Sequence, residues 1–306
     1  MARRNWLATT AKGTTMLFRG SAPALVTPFK NGSIDKDAFK RLLDFQLREG
    51  SDALVVCGTT GEPSTMSLAE HRELVDIAVK HVAGDVPIIA GSGGNNTQGV
   101  IAAAQAFEAL GVDGLLAVTP YYNRTTQGGL LAHYRAIADS VSLPIIVYNV
   151  PSRTGMNIEP ETLAELGRDP RFCGVKEASG NLCQIMEYFH VRPGTMSVFS
   201  GNDDQVYPFL AMGGEGVISV VANILPRQMH QMTTAYFEGD TEGALALQLE
   251  LLPLIKALFS EVSPIPVKAA LSMMGMIEDE LRLPLVPLSQ PNREVLREQL
   301  TEVGLL

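Results

Sequence analysis

The feature that most restricts the fold is a regular alternation. Short apolar, β-branched runs recur about every 20–30 residues with longer amphipathic stretches between them, the pattern of repeated βα units on a parallel sheet. The runs fall at 24–27, 53–57, 87–91, 114–119, 144–149, 172–176, 196–200 and 216–220. Eight such runs are the number that closes a (β/α)8 TIM barrel. The stretches 36–49, 68–82, 97–110 and 159–166 read as helices between them. The last opens with Glu159, Pro160 and Glu161. Proline suits a first turn because its missing N–H would be idle there.

After the eighth run the alternation stops. The stretch 226–238 reads as the last barrel helix, and 241–259, 266–274 and 292–303 read as three further helices. The expected organisation is an extension or disordered arm over 1–15, a barrel over 16–238 and a C-terminal helical appendix over 239–306. The arm carries Arg3 and Arg4, but Lys12 and several threonines interrupt the apolar core that a signal peptide needs. A doubly wound dinucleotide fold would put a glycine-rich fingerprint after its first strand. Here the first run is followed by Pro28-Phe29-Lys30, and Gly91-Ser92-Gly93-Gly94 comes only after the third.

Composition removes several function classes. With 24 basic against 33 acidic residues, net charge −9 and no long Lys/Arg run, nucleic acid is not an expected partner. No apolar stretch approaches the roughly 18–20 residues of a membrane helix. Cys57, Cys173 and Cys183 lack metal-ligand spacing and are odd in number, which suits a reduced, cytoplasmic protein. His71, His81, His133, His190 and His230 form no H-x-x-x-H pair and sit beside no Cys cluster, which gives a zinc-dependent mechanism little support. No metal and no other cofactor is expected. The cluster Met273, Met274 and Met276 reads as core filler.

Barrel chemistry gathers at the carboxyl ends of strands. Polar residues concentrate there: Gly58-Thr59-Thr60-Gly61-Glu62 after the second run, Thr119-Pro120-Tyr121-Tyr122-Asn123 after the fourth, and Tyr148-Asn149-Val150-Pro151-Ser152-Arg153-Thr154-Gly155 after the fifth. Lys176-Glu177-Ala178-Ser179-Gly180-Asn181 follows the sixth, and Gly201-Asn202-Asp203-Asp204 the seventh. Lys176 is the sharpest of these. It ends the apolar run Phe172-Cys173-Gly174-Val175, so its side chain starts inside the barrel or at its rim. Desolvation disfavours an ammonium and frees an amine near neutral pH. A free amine attacks a ketone to give an imine, which acidifies the adjacent carbon. The bland alternative is a structural lysine paired with Glu177. Tyr148, Thr59 and Tyr122 could form a hydroxyl relay, or Tyr148 could be rim packing. Consecutive N–H groups at Thr59 and Thr60 suit a carboxylate, or the segment is merely a tight turn. Arg153 could bind a carboxylate with two parallel bonds, or be a surface charge. The residues alone therefore indicate an imine-forming lyase for small carboxylates and leave the aldehyde open.

These segments resemble the dihydrodipicolinate synthase family within the N-acetylneuraminate lyase superfamily, from about Gly20 to the C-terminus. The resemblance implies condensation of pyruvate with aspartate 4-semialdehyde at the head of diaminopimelate and lysine synthesis. It implies Lys176 as the Schiff-base lysine and Tyr148, Thr59 and Tyr122 as a proton relay, with Tyr122 supplied by a neighbouring subunit. Thr59 and Thr60 would hold the pyruvate carboxylate, Arg153 the semialdehyde carboxylate, and Gly201 and the Ile218 backbone further line the pyruvate site. A homotetramer of tight dimers is the implied assembly. N-acetylneuraminate lyase and 2-keto-3-deoxy sugar acid aldolases are the rivals, but they generally lack arginine at the Arg153 position. A non-catalytic ligand-binding descendant would have no need of the relay. Lysine-inhibited relatives often carry His where this chain has Leu68 and Glu where it has Gly99. Feedback inhibition by lysine is therefore expected to be weak or absent, although His71, Asn95 and Tyr121 match polar positions of that site.

Overall fold

The computed structural model describes residues 8–9 and 15–306, with side chains from Met16 onward. The expected arm over 1–15 lies outside the described residues, apart from Ala8–Thr9 and Thr15, whose backbones belong to a short antiparallel pair. Eight parallel strands form the barrel: β1 Gly20–Pro23, β2 Leu54–Val56, β3 Ile88–Gly91, β4 Gly114–Val118, β5 Ile145–Asn149, β6 Phe172–Glu177, β7 Ser197–Ser200 and β8 Gly216–Ser219. Neighbours in sequence are neighbours in space, and β8 pairs with β1 through Gly216↔Gly20 and Ser219↔Pro23. The ring closes between β1 and β2. Ala24 bridges Val55, and the Leu25 N–H donates to the Val55 carbonyl at 2.9 Å.

The first strand departs from expectation. It is Gly20–Pro23, just ahead of the run at 24–27. Gly-Ser-Ala-Pro carries almost no hydrophobic signal, whereas Ala24, Leu25 and Val26 are buried and follow the strand's carboxyl end. Gly20 has φ +124°, and a Cβ there would fall 2.1 Å from an Asp52 carboxylate oxygen, so glycine is dictated by backbone and space together.

Strand residues alternate between two cores, as the period of two requires. Ala22, Val55, Ile89, Leu116, Ile146, Tyr148, Phe199 and Ile218 point into the barrel. Leu54, Val56, Val147, Val175 and Val198 point outward against the helices. The Phe18 and Phe199 rings stack at 4.4 Å inside.

The barrel helices are α1 Lys36–Arg48, α2 Leu68–Val82, α3 Thr97–Leu110, α4 Gln127–Ala138, α5 Pro160–Leu166, α6 Leu182–Val191, α7 Val206–Ala211 and α8 Pro226–Glu238. Several start on side-chain caps in the loops of the barrel mouth: Ser67 with Glu70 as a capping box, Asn96, Thr126 and Asn181. These caps fix where each mouth loop ends. Three helices follow: α9 Thr241–Leu258, α10 Ile265–Met273 and α11 Gln290–Glu302. They share an apolar core with α8 through Met229, Leu254, Val267 and Leu296. Among the described residues no helix is long and apolar enough to cross a membrane.

Candidate active site

Lys176 and Tyr148 lie side by side on β6 and β5, in register. Lys176 is buried, and its Nζ stands 4.5 Å from the centre of the Tyr148 ring. Burial brings the ammonium down to about 8. The Asp203 carboxylate opposes that shift and the Arg153 charge adds to it. Burial likewise lifts the Tyr148 phenol to about 12, against the Arg153 charge and a hydrogen bond with Thr59. Both groups are thus held toward their neutral forms.

The alternative of a structural Lys176–Glu177 pair fails on geometry. Adjacent strand residues face opposite ways. Glu177 points outward, where it accepts from Asn149 Nδ2 at 2.8 Å and from the Ser179 N–H at 2.5 Å. Among the described residues Lys176 makes no salt bridge, in contrast to the equally hidden Lys268.

Gly201, just past β7, packs directly on this lysine. A Cβ there would meet Lys176 Cε at 3.0 Å and Ala178 Cβ at 2.7 Å, so a side chain would displace the amine. Ile218 of β8 is buried in the interior cluster with Tyr148. Thr59 and Thr60 open a single 3-10 turn, Thr59–Gly61. The turn's own bonds use the Gly61 and Glu62 N–H groups, at 2.8 and 3.2 Å. The first N–H groups of a helical turn find no carbonyl within it and suit an anion.

Arg153 stands at the rim in the short turn Pro151–Thr154, its guanidinium donating to the Ser263 carbonyl at 3.1 Å. It borders a cleft of about 410 Å³ together with Thr59, Tyr121, Val262, Pro264 and Leu285. A second cavity, of about 360 Å³, runs from Thr59 and Tyr148 outward to Leu68, His71, Asn95 and Gly99. The two meet at Thr59, and Lys176 is in the lining of neither. Tyr122 alone stays out of the assembly. It is 92% exposed, with φ +68°, a backbone that a non-glycine residue adopts only where it is held.

Two features escaped the sequence reading. Asp203 is a buried carboxylate that accepts from Ser219 Oγ at 2.5 Å and from the Val220 N–H at 2.9 Å, fixing the chain after β8. Burial raises its pKa, and those donors resist the rise. Glu62 and Lys268 form a wholly buried ion pair at 2.6 Å. A lysine inside the apolar stretch Ile265-Pro266-Val267-Lys268-Ala269-Ala270-Leu271 was the available signal.

Comparison with known proteins adds to this geometry. The model of the Dihydrodipicolinate synthetase family matches residues 17–303. A 4-hydroxy-tetrahydrodipicolinate synthase of Caldicellulosiruptor bescii is 51% identical over 290 residues, 94% of this chain and 98% of that protein. One from a Thermoanaerobacter species is 48% identical over 95% and 98% of the two chains. The crystal structure of dihydrodipicolinate synthase from Thermotoga maritima is 46% identical and superposes with a TM-score of 0.94, over 95% of this chain and all of that one.

Proposed function

Because the chain belongs to the dihydrodipicolinate synthetase family, we propose that its barrel mouth condenses pyruvate with aspartate 4-semialdehyde to 4-hydroxy-tetrahydrodipicolinate, with Lys176 as the nucleophile. This is a lyase-type step of diaminopimelate and lysine synthesis. The carrying observation is Lys176: a buried amine, without a salt bridge among the described residues, lying against the ring of Tyr148.

The unprotonated Lys176 Nζ adds to C2 of pyruvate, and loss of water leaves a protonated imine. That cation draws electrons from the C3–H bond, so C3 loses a proton and becomes an enamine carbon. The enamine attacks the aldehyde carbon of the semialdehyde, forming the new C–C bond, and the aldehyde oxygen takes up a proton. The semialdehyde amine then adds to C2 and expels Lys176, closing the ring. The hydroxyls of Tyr148 and Thr59 are hydrogen-bonded and suited to carry these protons. Thr59 and Thr60 hold the pyruvate carboxylate, Gly201 and Ile218 complete its pocket, and Arg153 meets the carboxylate of the aldehyde.

The third hydroxyl of the relay, that of Tyr122, stands outside this chain's own mouth. Tyr122 projects to solvent beside Tyr121, which favours its insertion into the site of a second copy. We assign a homotetramer built of tight dimers on that basis. Free thiols at Cys57, Cys173 and Cys183 favour a cytoplasmic location.

The test is borohydride reduction in the presence of pyruvate. One reduced pyruvyl unit on the peptide holding Lys176 is the expected result. Label on Lys268 with Lys176 clean would overturn the assignment.

A further inference from the structure

The turn Thr59–Gly61 is pegged by side chains from remote parts of the chain. Glu62, which ends the turn, has φ +56°, a left-handed backbone that costs a non-glycine residue energy unless its surroundings hold it. Its side chain is wholly buried. One carboxylate oxygen accepts from Lys268 Nζ at 2.6 Å, and the other from the Arg282 N–H at 3.2 Å. Lys268 belongs to α10, 206 positions along the chain. Lys268 and Arg282 both lie over the Phe29 ring, at 4.4 and 4.3 Å. A third peg is Thr27, whose hydroxyl donates to the Gly61 carbonyl at 2.7 Å.

A buried ion pair is a poor source of net stability, since desolvating two charges offsets most of their attraction. It is a good source of position, because both groups lose more by separating than by staying. We propose that Glu62 and Lys268 are positioning residues for the reaction: the C-terminal helices hold the turn whose Thr59 and Thr60 receive the pyruvate carboxylate. The appendix is then part of the active site's frame, although none of its charged groups reaches the substrate. This inference rests on the assignment of pyruvate to that turn.

The experiment uses the full-length double variant Glu62→Gln/Lys268→Met, which removes both charges together and keeps their volumes. The amide introduced by Glu62→Gln retains an acceptor for the Arg282 N–H. Folding is followed by circular dichroism, and half-saturation for pyruvate is read by borohydride trapping. A folded variant should need about tenfold more pyruvate or beyond, as expected when charge-assisted bonds to a carboxylate lose their geometry. Trapping on Lys176 at saturating pyruvate should persist in the same sample, which separates this inference from the assignment of the nucleophile. A folded double variant with unchanged half-saturation would overturn it. Lys268→Arg, which keeps a positive charge opposite Glu62 but places its donors differently, decides the matter if the double variant does not fold. It should raise half-saturation for pyruvate in the same direction, and no change in that folded variant overturns the proposal equally.

Discussion

Lys176 Nζ lies 4.5 Å from the centre of the Tyr148 ring, on strands whose register pairs the two residues directly. One burial therefore acts on both. It lowers the lysine to about 8 and raises the tyrosine to about 12, leaving an amine that is readily freed beside a phenol that stays protonated. An imine-forming site needs that pair of states at the same pH.

The rate of pyruvate trapping should follow the free amine. With the ammonium titrating at about 8, the initial rate should climb about tenfold per pH unit below that value and level off above it. Stopped borohydride reduction across the range measures this. Lys176→Arg should remain folded and take no label, because its guanidinium is never deprotonated. A rate that keeps climbing past pH 9 toward the ordinary lysine value of 10.5 would mean that the amine is not desolvated in solution.

The same burial should cost stability. A lysine whose folded pKa falls from 10.5 to about 8 destabilises the fold by roughly 3 kcal/mol at neutral pH, since each pKa unit is worth about 1.4. The sign follows from the direction of the shift. The unfolded chain binds the proton more tightly, so the penalty is complete below the folded pKa and fades as pH rises toward the unfolded one. Lys176→Met, of similar volume and uncharged, should melt higher than the parent at pH 7. The gap should narrow on going to pH 10. Thermal melts at both pH values check the sign and its trend.

Tyr122→Phe should lower turnover by about 100-fold or more, the usual contribution of a proton-transfer group, with little change in melting temperature because the ring is exposed. Mixing subunits of Tyr122→Phe with Lys176→Ala should restore part of the activity. Each mixed dimer then has one site with both an intact lysine and an intact neighbouring tyrosine. No recovery after verified subunit exchange would confine Tyr122 to its own chain or remove it from the relay.

The strand-and-helix alternation made the barrel legible, and Lys176 stood out because a lysine closing a buried strand is rare. The first strand misled because Gly20-Ser21-Ala22-Pro23 holds its place by small size and backbone shape, which hydrophobic pattern does not register. Arg153 was readable from its loop, but its anchor on Ser263 was not, since 110 positions separate them. The same holds for Glu62 and Lys268. Local motif reading finds the residue that touches substrate more readily than the distant one that holds it still.

Arg153 should govern the aldehyde step. Its two parallel hydrogen bonds to a carboxylate contribute about 1.5–3 kcal/mol each, so Arg153→Ala should weaken use of the semialdehyde by roughly tenfold to several hundredfold. Imine formation should suffer less. Its pH profile should also move to the alkaline side, because the Arg153 charge helps to lower the Lys176 ammonium. Equal loss in both half-reactions, without that shift, would assign Arg153 a structural part through Ser263 instead.

L-Lysine should be a poor inhibitor. Among the described residues, the cavity that joins Thr59 to Leu68, His71, Asn95 and Gly99 has no aspartate or glutamate in its lining. Burial lowers the His71 pKa, which keeps that ring neutral near pH 7, and its Nε2 is already engaged with the Pro63 carbonyl at 2.9 Å. Leu68 offers no polar atom, and Gly99 offers no side chain. A free amino acid brings two ammonium groups and one carboxylate into this space. Asn95 and backbone carbonyls can accept hydrogen bonds from the ammoniums but supply no opposite charge. Stripping water from an ammonium without a counter-charge costs several kcal/mol, which cancels most of what a small ligand can gain there. Half-inhibition should therefore lie above about 1 mM, where binding amounts to roughly −4 kcal/mol. Gly99→Glu supplies an acid at the cavity wall without a clash, its new Cβ in ordinary contact with Asn96 at 3.7 Å. That variant should bind lysine more tightly than the parent, as read by inhibition of the coupled assay. Submillimolar inhibition of the parent, or no gain in the glutamate variant, would mean that the missing acid is not what sets the response.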